Sequence, residues 1–208
     1  MNIALIGCGG VGGWLAPALK GYGFDVTYID GDTVEAKNIG RQTFNVRHIG
    51  LNKAEVFHSL FGGDYSPRYI TQGWRTTADV IIIAVDNSLA KLAALEAADV
   101  ANIPAIICGN EITTAEAWLN LPNCKGKVID YRVYYPSVMT DKSNDPQAIS
   151  CSVVAPDSVV EEQSIAANMY AASAGIMLLH LYLANYSVPI RINIGDGNAY
   201  SQYAEEFI

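Results

Sequence analysis

A glycine-rich loop between an apolar run and a helix is the feature that most constrains this chain. Residues 3–6 are apolar, and a second apolar run at 26–29 ends on Asp30. The glycines between them have the spacing G-x-G-x-x-G at Gly7, Gly9 and Gly12. A strand, such a loop, a helix and an acid about 20 residues further on are typical of a nucleotide-binding βαβ unit, in which backbone amides and the helix N-terminus hold a phosphate. The pattern favours nucleotide binding over a purely structural glycine turn, but it does not choose between NAD and ATP.

The residues that follow Asp30 favour ATP. Two acids, two amides and a guanidinium lie just beyond the second apolar run, where open α/β sheets bind ligands: Asp30, Asp32, Asn38, Arg41 and Gln42. A dehydrogenase has no need of this set. The segments 7–12, 30–34 and 38–42 read G-C-G-G-V-G, D-G-D-T-V and N-I-G-R-Q. They resemble the family of ThiF, MoeB and the ubiquitin-activating enzymes, whose pattern is G-x-G-G-x-G, then D-x-D-x-V, then N-x-x-R-Q.

This resemblance is strong over residues 2–110 and weaker over 151–183. It implies ATP-dependent and Mg²⁺-dependent adenylation of the C-terminal carboxylate of a ubiquitin-like or sulfur-carrier protein, with release of pyrophosphate. Arg41 and Lys53 match the catalytic arginine and lysine of the family, and fixed cations aimed at a transferring phosphoryl group are typically the largest catalytic contribution. Taken alone, Lys53 reads as a solvated lysine in the first turn of a helix, and only the motif favours the catalytic role.

The resemblance also implies a set of nucleotide contacts. They are Gly7, Gly9, Gly10, Gly12, Asp30, Asp32, Asn38, Gln42, Asp86 and Asn87. Asp30 would hold the ribose hydroxyls. Asp86, at the end of the apolar run 80–85, matches the family aspartate that binds magnesium, a cation that takes one or two carboxylates beside substrate phosphates. The residues by themselves leave alternatives open, because Asp30 also reads as a turn acid and Asp86 as a helix N-cap.

Cys151 is a candidate thioester cysteine. The segment C-S-V at 151–153 stands ahead of a long helix and resembles the C-T-[IL] segment that carries the thioester cysteine in the ubiquitin-activating branch. It lies in the polar, aperiodic stretch 137–156, and a loop of this length in a compact domain is usually functional. The structural alternative is that Cys151 only packs beneath that loop.

One departure from the family pattern leads us to consider alternative functions. Several relatives supply an N-terminal arginine to the ATP of a partner, whereas this chain begins at its first strand, so we expect Arg47, Lys91 or a second protein to supply that charge. The alternative function is a non-catalytic pseudoenzyme subunit that binds a carrier or a catalytic partner. An NAD-dependent dehydrogenase is disfavoured because it leaves Arg41, Lys53 and Asp86 unexplained.

The alternation of apolar and amphipathic segments predicts an α/β fold: a Rossmann-like, mostly parallel sheet continued by antiparallel strands, with helices on both faces. We expect a single domain over 1–208, with a nucleotide-binding half at 1–110 and a carrier-binding half at 111–208 that holds a crossover loop, a long helix and a C-terminal hairpin. The predicted strands are 3–6, 26–29, 68–72, 80–85, 103–108, 113–119, 128–135, 190–194 and 199–203, the last two joined by a turn at Asp196-Gly197. The predicted helices cover 51–61, 89–100 and 165–183, the last preceded by a capping box at Ser158 and Glu161. The first helix is expected to begin near Trp14, with Pro17 in its first turn, where a missing amide is tolerated.

Charge and cysteine usage limit the partners and the compartment. With 13 basic and 21 acidic residues among 208, the net charge of −8 argues against a nucleic-acid surface, because phosphate contacts need clustered Lys and Arg. The 4 cysteines have unrelated spacings and no C-x-x-C pair. We therefore expect no zinc, no disulfide framework and a reducing, cytoplasmic setting. Met1 leads almost directly into the first apolar run, so we expect no leader peptide.

The long apolar segment 165–183 has the length of a membrane span. Asn168, Ser173 and His180 interrupt it, and acids rather than basic anchors precede it, so we expect a buried core helix and no membrane association. The family resemblance, together with a mean hydropathy of +0.17, favours a homodimer.

Overall fold

An eight-stranded sheet runs through the part of this computed structural model that can be described, residues 1–111, 113–141, 164–195 and 198–207. Its strands are β1 (Asn2–Ile6), β2 (Asp25–Ile29), β3 (Asp64–Ser66), β4 (Val80–Ile83), β5 (Ala105–Asn110), β6 (Thr114–Asn120), β7 (Arg191–Gly195) and β8 (Asn198–Gln202). They lie in the order β3-β2-β1-β4-β5-β6-β7-β8. The first five strands of this order are parallel, and β6, β7 and β8 continue the sheet in antiparallel pairs. The turn predicted at Asp196 and Gly197 lies outside the described residues.

Each face of the sheet is covered by its own set of helices, because alternate strand residues point to opposite faces. The helices are α1 (Gly10–Gly21), α2 (Lys53–Phe61), α3 (Ser88–Ala101), α4 (Tyr131–Tyr134) and α5 (Ile165–Leu183). Ile3 and Leu5 belong to a core cluster with α1, α2 and α5. Ala4 and Ile6 belong to a second cluster with α3 and α4. The predicted α/β fold, with a mostly parallel sheet, antiparallel continuation and helices on both faces, is confirmed.

Helix α1 begins at Gly10, earlier than the predicted start near Trp14. Pro17 therefore lies in the helix interior, and its predicted position in the first turn was wrong. A proline there removes one intrahelical hydrogen bond. Its own side chain is exposed, while Leu15 and Leu19 on the inner side are fully buried. Packing of this inner side against the sheet holds the helix in spite of the proline.

Residues 128–135 form a turn and the short helix α4, so the strand predicted there was wrong. Asp130 is 1% exposed, and its carboxylate accepts hydrogen bonds from the amides of Gly126 (2.7 Å) and Arg132 (3.0 Å). Side-chain-to-backbone hydrogen bonds of this kind compete with strand pairing. The strand predicted at 68–72 was also wrong, because β3 pairs with β2 at an earlier point in the chain and 68–72 have no regular structure.

Helix α5 packs on the sheet along one side only. Its inner side carries Ala171, Leu178 and Leu179, which are buried, whereas Met169 and Met177 on the outer side are exposed. Among the described residues it is the one helix long and apolar enough to cross a membrane by length and composition. The capping box predicted at Ser158 and Glu161 lies outside the described residues.

Candidate functional site

A cavity of about 690 Å³ opens at the carboxyl ends of the parallel strands. Its floor is the point where the strand order reverses between β1 and β4, which is where open α/β sheets bind ligands. The predicted loop glycines that line it are Gly7, Gly9 and Gly10. The other predicted residues that line it are Asp30, Asp32, Gln42, Lys53, Asp86 and Asn87. Residues from five separate segments of the chain thus share one cavity.

The loop glycines are required for different reasons. Gly7 has φ +95°, and a Cβ there would collide with the carbonyl oxygen of Ala84; a Cβ on Gly12 would collide with the carbonyl oxygen of Gly7. Gly9 differs, because the nearest atom to its added Cβ would be Gln42 Nε2 at 3.9 Å. Gly7 and Gly12 therefore allow the tight turn, and Gly9 is the position that leaves open space at the cavity wall.

The N-terminus of α1 faces this open space without a side-chain cap. Gly9 is the N-cap residue, and the first intrahelical hydrogen bond runs from the Gly13 amide to the Gly9 carbonyl at 2.9 Å. The amides of the first turn have no intrahelical acceptor, and they carry the positive end of the helix dipole. A phosphate fits such a site, since backbone amides and the dipole both favour an anion there.

Asp30 fixes the shape of the loop. Its two carboxylate oxygens accept hydrogen bonds from the amides of Cys8 (2.7 Å) and Asp32 (2.8 Å). Burial raises the pKa of Asp30, while the Lys53 charge and these two amides act in the opposite direction. A carboxylate has about four acceptor positions, so Asp30 retains acceptor capacity for ligand hydroxyls.

Lys53, Asp32 and Tyr69 form a polar chain at the cavity wall. Lys53 is 8% exposed, and its Nζ lies 2.8 Å from Asp32 Oδ2. The Tyr69 hydroxyl donates to Asp32 Oδ1 at 2.5 Å. Burial alone would raise the pKa of Asp32, but the hydrogen bonds from Lys53 and Tyr69 outweigh it and lower that pKa. Lys53 is thus a buried, held cation and not a solvated lysine.

Tyr69 is a cavity residue that sequence reasoning missed. Its ring lies over Gly31, where an added Cβ would stand 2.6 Å from a ring carbon. The neighbouring residues of the irregular stretch 68–72 also line the cavity. The glycine between the two acids Asp30 and Asp32 was the only signal that a large side chain packs there.

Asp86 and Asn87 have separate roles at the end of β4. Asn87 is the N-cap of α3 and accepts a hydrogen bond from the Ala90 amide at 2.8 Å, so the capping role considered for Asp86 belongs to its neighbour. Asp86 is exposed and lines the cavity. Among the described residues no group of three His, Cys, Asp or Glu could hold a metal ion. A single carboxylate beside substrate phosphates is nevertheless a donor set that Mg²⁺ uses, so Asp86 fits that cation.

Three predicted residues lie away from the cavity wall. Asn38 is 3% exposed, and its Oδ1 accepts a hydrogen bond from the Glu35 amide at 2.8 Å, which caps a short 3₁₀ turn. The Arg41 Nε donates to the Lys37 carbonyl at 3.1 Å. Gly12 packs beneath the loop. The ligand contacts predicted for Asn38 and Arg41 stay predictions, and Cys151 lies outside the described residues.

Comparison with known proteins supports the resemblance read from the motifs. Residues 1–61 match the ThiF family. No curated protein matches the sequence. The fold is similar to Escherichia coli MccB, with a TM-score of 0.70 and 20% identity over 97% of this chain and 61% of the MccB chain. The structure of E. coli MccB with ATP gives a TM-score of 0.67 and 20% identity over 97% of this chain and 63% of that one.

PaaA is also similar, with a TM-score of 0.67 and 19% identity over 97% of this chain and 71% of PaaA. At these identities the likeness shows the fold. The chain spans about three fifths of the length of the MccB chains that it matches.

Proposed function

We propose that this chain is an adenylyltransferase that activates the C-terminal carboxylate of a protein or peptide with ATP. The observation that carries the proposal is the cavity wall itself, which is lined by an uncapped helix N-terminus, by the buried cation of Lys53 and by Asp86, just beyond the end of β4. An anion-binding turn, a fixed cation and a carboxylate suited to Mg²⁺ are the groups that bind the phosphates of a nucleoside triphosphate.

The reaction joins a carboxylate oxygen of the substrate to the α-phosphorus of ATP. The bond between that phosphorus and the bridging oxygen of the β-phosphate breaks, and pyrophosphate leaves with the electron pair. The products are an acyl adenylate and pyrophosphate. Negative charge on the phosphate oxygens must be neutralised as the reaction proceeds, and this is the main task of the protein groups.

The chain offers groups for the ribose and the phosphates of ATP. Asp30 accepts hydrogen bonds from the ribose hydroxyls, and the first-turn amides of α1 hold phosphate oxygens. Lys53 supplies positive charge, and Arg41 supplies more if the segment that carries it turns toward the cavity. Mg²⁺ held by Asp86 would neutralise charge on the phosphate oxygens.

The substrate is proposed by analogy. MccB has been solved with ATP and with MccA, so a protein or peptide substrate suits the fold. We propose a ubiquitin-like or sulfur-carrier protein as that substrate, a homodimer as the functional state, and transfer of the acyl group to Cys151 as a second step. Light scattering that gives a monomer throughout the micromolar range would contradict the homodimer.

Pyrophosphate exchange tests the reaction directly. The purified chain is incubated with ATP, Mg²⁺, labelled pyrophosphate and candidate carriers encoded beside its gene, each prepared with a free and with an amidated C-terminus. Label should enter ATP only with a free carboxylate. In a parallel thermal-shift assay the melting temperature should rise with ATP and Mg²⁺. A ligand at about 100 times its Kd stabilises a protein by about 2.7 kcal/mol. A shift with NAD and none with ATP would favour the dehydrogenase, and ATP binding without exchange would favour the pseudoenzyme.

A further inference from the structure

Two cationic side chains line the cavity besides Lys53: Arg68, which is exposed, and Lys91, which is half-buried. Lys91 is in the first turns of α3, where its amide donates to the Asn87 carbonyl at 3.1 Å, and its half-buried side chain lines the cavity. No carboxylate among the described residues lies within 4.0 Å of its ammonium group. Lys91 thus contrasts with Lys53, whose charge is held by a carboxylate at 2.8 Å.

Three acids act on the charge of Lys91: Asp86, Glu116 and Asp141. Asp86 is exposed and forms no ion pair with Lys91 within 4.0 Å, and the other two are engaged elsewhere. Glu116 accepts hydrogen bonds from the Tyr135 hydroxyl at 2.6 Å and from Arg191 Nε at 2.8 Å. Asp141 accepts a hydrogen bond from the Ser88 hydroxyl at 3.1 Å. A partly desolvated ammonium without an ion-pair partner is costly unless a ligand supplies the counter-charge. The chemistry that completes this site is therefore an anion.

The two lysines are at different ends of the cavity. The ammonium group of Lys53 pairs with the carboxylate of Asp32, which follows β2. Burial lowers the pKa of Lys91, and the charges that oppose this shift belong to Asp86, Glu116 and Asp141. Asp86 follows β4, Glu116 lies on β6 and Asp141 follows α4. Lys91 therefore lies toward the β6 end of the strand order, whereas Asp30, the acid proposed to bind the ribose, follows β2. The glycine loop after β1 stands between the two lysines.

This order along the sheet assigns a ligand group to each position. With the ribose at β2 and the phosphates at the glycine loop after β1, the space beside β4 and β5 is left for the group that attacks the α-phosphorus. Attacking and leaving oxygens lie roughly in line, so the attacking carboxylate approaches from the side opposite to the pyrophosphate. That carboxylate is an anion brought close to other anions, and it needs a cation of its own.

We propose that Lys91 binds the C-terminal carboxylate of the acyl substrate and selects for a free carboxylate at this end of the cavity. The assignment rests on the proposed adenylation and adds the residue that recognises the acyl side of the reaction. It differs from a role for Lys91 in holding the phosphates of ATP, which predicts a loss of ATP binding when the charge is removed.

Triglycine and triglycine amide are suitable probes, because they differ only in the terminal charge and carry no side chain. Binding of each peptide is measured by titration calorimetry on the protein saturated with a non-hydrolysable ATP analogue and Mg²⁺. The wild type should bind the acid about 10-fold or more tightly than the amide, as expected for a hydrogen-bonded ion pair. Lys91→Met should lose this preference, Lys91→Arg should keep it, and Lys37→Met, which removes an exposed lysine, should match the wild type.

The thermal shift with ATP and Mg²⁺ separates the possible failures. It should be the same in Lys91→Met and the wild type, because the proposed contact is with the acyl substrate. A preference for the acid that survives in Lys91→Met, or no preference in the wild type, overturns the assignment while leaving ATP binding intact. A reduced ATP shift in Lys91→Met would instead assign the lysine to the phosphates. Absence of any ATP shift in the wild type would count against the adenylation itself.

Discussion

The ammonium group of Lys53 lies 2.8 Å from Asp32 Oδ2, and the lysine is 8% exposed. This ion pair connects the segment 30–34, which follows β2, to Lys53, the first residue of α2. Asn52 reinforces the same junction, since its Nδ2 donates to the carbonyls of Asp30 and Asp32 at 2.9 Å each. The cation is therefore held in one place before any ligand binds, which is the condition for effective electrostatic catalysis.

Removing this charge should impair catalysis more than folding. Lys53→Met keeps the length and apolar stem of the side chain, and we expect it to lower pyrophosphate exchange by about 100- to 1,000-fold, the typical cost of deleting one transition-state donor. The melting temperature should change little, because the Asp32 side chain is 47% exposed and water can solvate it. Lys37→Met is the control, since Lys37 pairs with Glu35 at the surface. An exchange rate in Lys53→Met equal to that of the wild type would remove Lys53 from the mechanism.

Gly9 and Gly10 are adjacent, but we expect their substitution to change different properties, nucleotide binding for Gly9 and stability for Gly10. A Cβ on Gly10 would lie 2.5 Å from Asn168 Nδ2, so Gly10→Ala should lower the free energy of unfolding by about 1–3 kcal/mol, as overpacking does. Asn168 is 1% exposed, and both polar atoms of its amide lack a hydrogen-bond partner among the described residues. Asn168→Ala should therefore restore much of the stability in the Gly10→Ala background.

Gly9→Ala meets open space, so it should preserve stability and reduce the thermal shift with ATP and Mg²⁺. Urea unfolding of the wild type and the three variants, with and without nucleotide, measures both effects. Equal destabilisation by Gly9→Ala and Gly10→Ala would contradict the separate roles of the two glycines.

Asp130 should make stability depend on acid pH. Burial would raise its pKa, but the hydrogen bonds from Arg132 and Gly126 outweigh burial and hold the pKa below its usual value. A depressed folded-state pKa means that the stabilisation is present above the unfolded pKa of about 3.9 and is lost as pH falls through the folded value. Asp130→Asn should lower the free energy of unfolding at pH 7 by about 1–3 kcal/mol.

The same variant should also lose stability less steeply than the wild type below about pH 4. Urea unfolding at several pH values checks both statements. If the free energy of unfolding falls equally with pH in Asp130→Asn and in the wild type, Asp130 is not the cause of the acid dependence.

The sequence alone predicted the parts of the fold that depend on residues close together in the chain. The continuous apolar run 80–85 predicted a buried parallel strand, which the structure has at Val80–Ile83. Acids just beyond β2 and β4 predicted where a ligand site opens. Both predictions depend only on the chain near each residue and on the rule that the carboxyl ends of parallel strands share one edge. The order of strands across the sheet then brings the segments together.

The remainder of the site depends on contacts between distant segments. Tyr69 covers Gly31 from an irregular stretch that has no periodicity, and Asn168 packs on Gly10 from the far end of the chain. Neither contact leaves a pattern in the sequence. The strand predicted over 128–135 failed for a related reason, because β-branched and aromatic residues there favour a strand while the single buried carboxylate of Asp130 holds a turn.

The last prediction concerns which cysteine accepts the activated acyl group. A thiol attacks as its thiolate, and burial disfavours that form. Burial raises the pKa of Cys8 well above its ordinary value, that of Cys108 to about 12 and that of Cys124 to about 11. All three are buried thiols, and Cys151, which lies outside the described residues, is the remaining candidate among the 4 cysteines.

Incubation of the protein with ATP, Mg²⁺ and a carrier that supports exchange should therefore give an adduct on a non-reducing gel that added thiol removes. Cys151→Ala should lose the adduct and keep pyrophosphate exchange, because adenylation precedes transfer to the thiol. Cys108→Ala is the matched control and should keep both. An adduct that survives in Cys151→Ala would assign the acceptor to another cysteine, and a demonstrably adenylated carrier that forms no adduct would show that the thioester step does not belong to this protein.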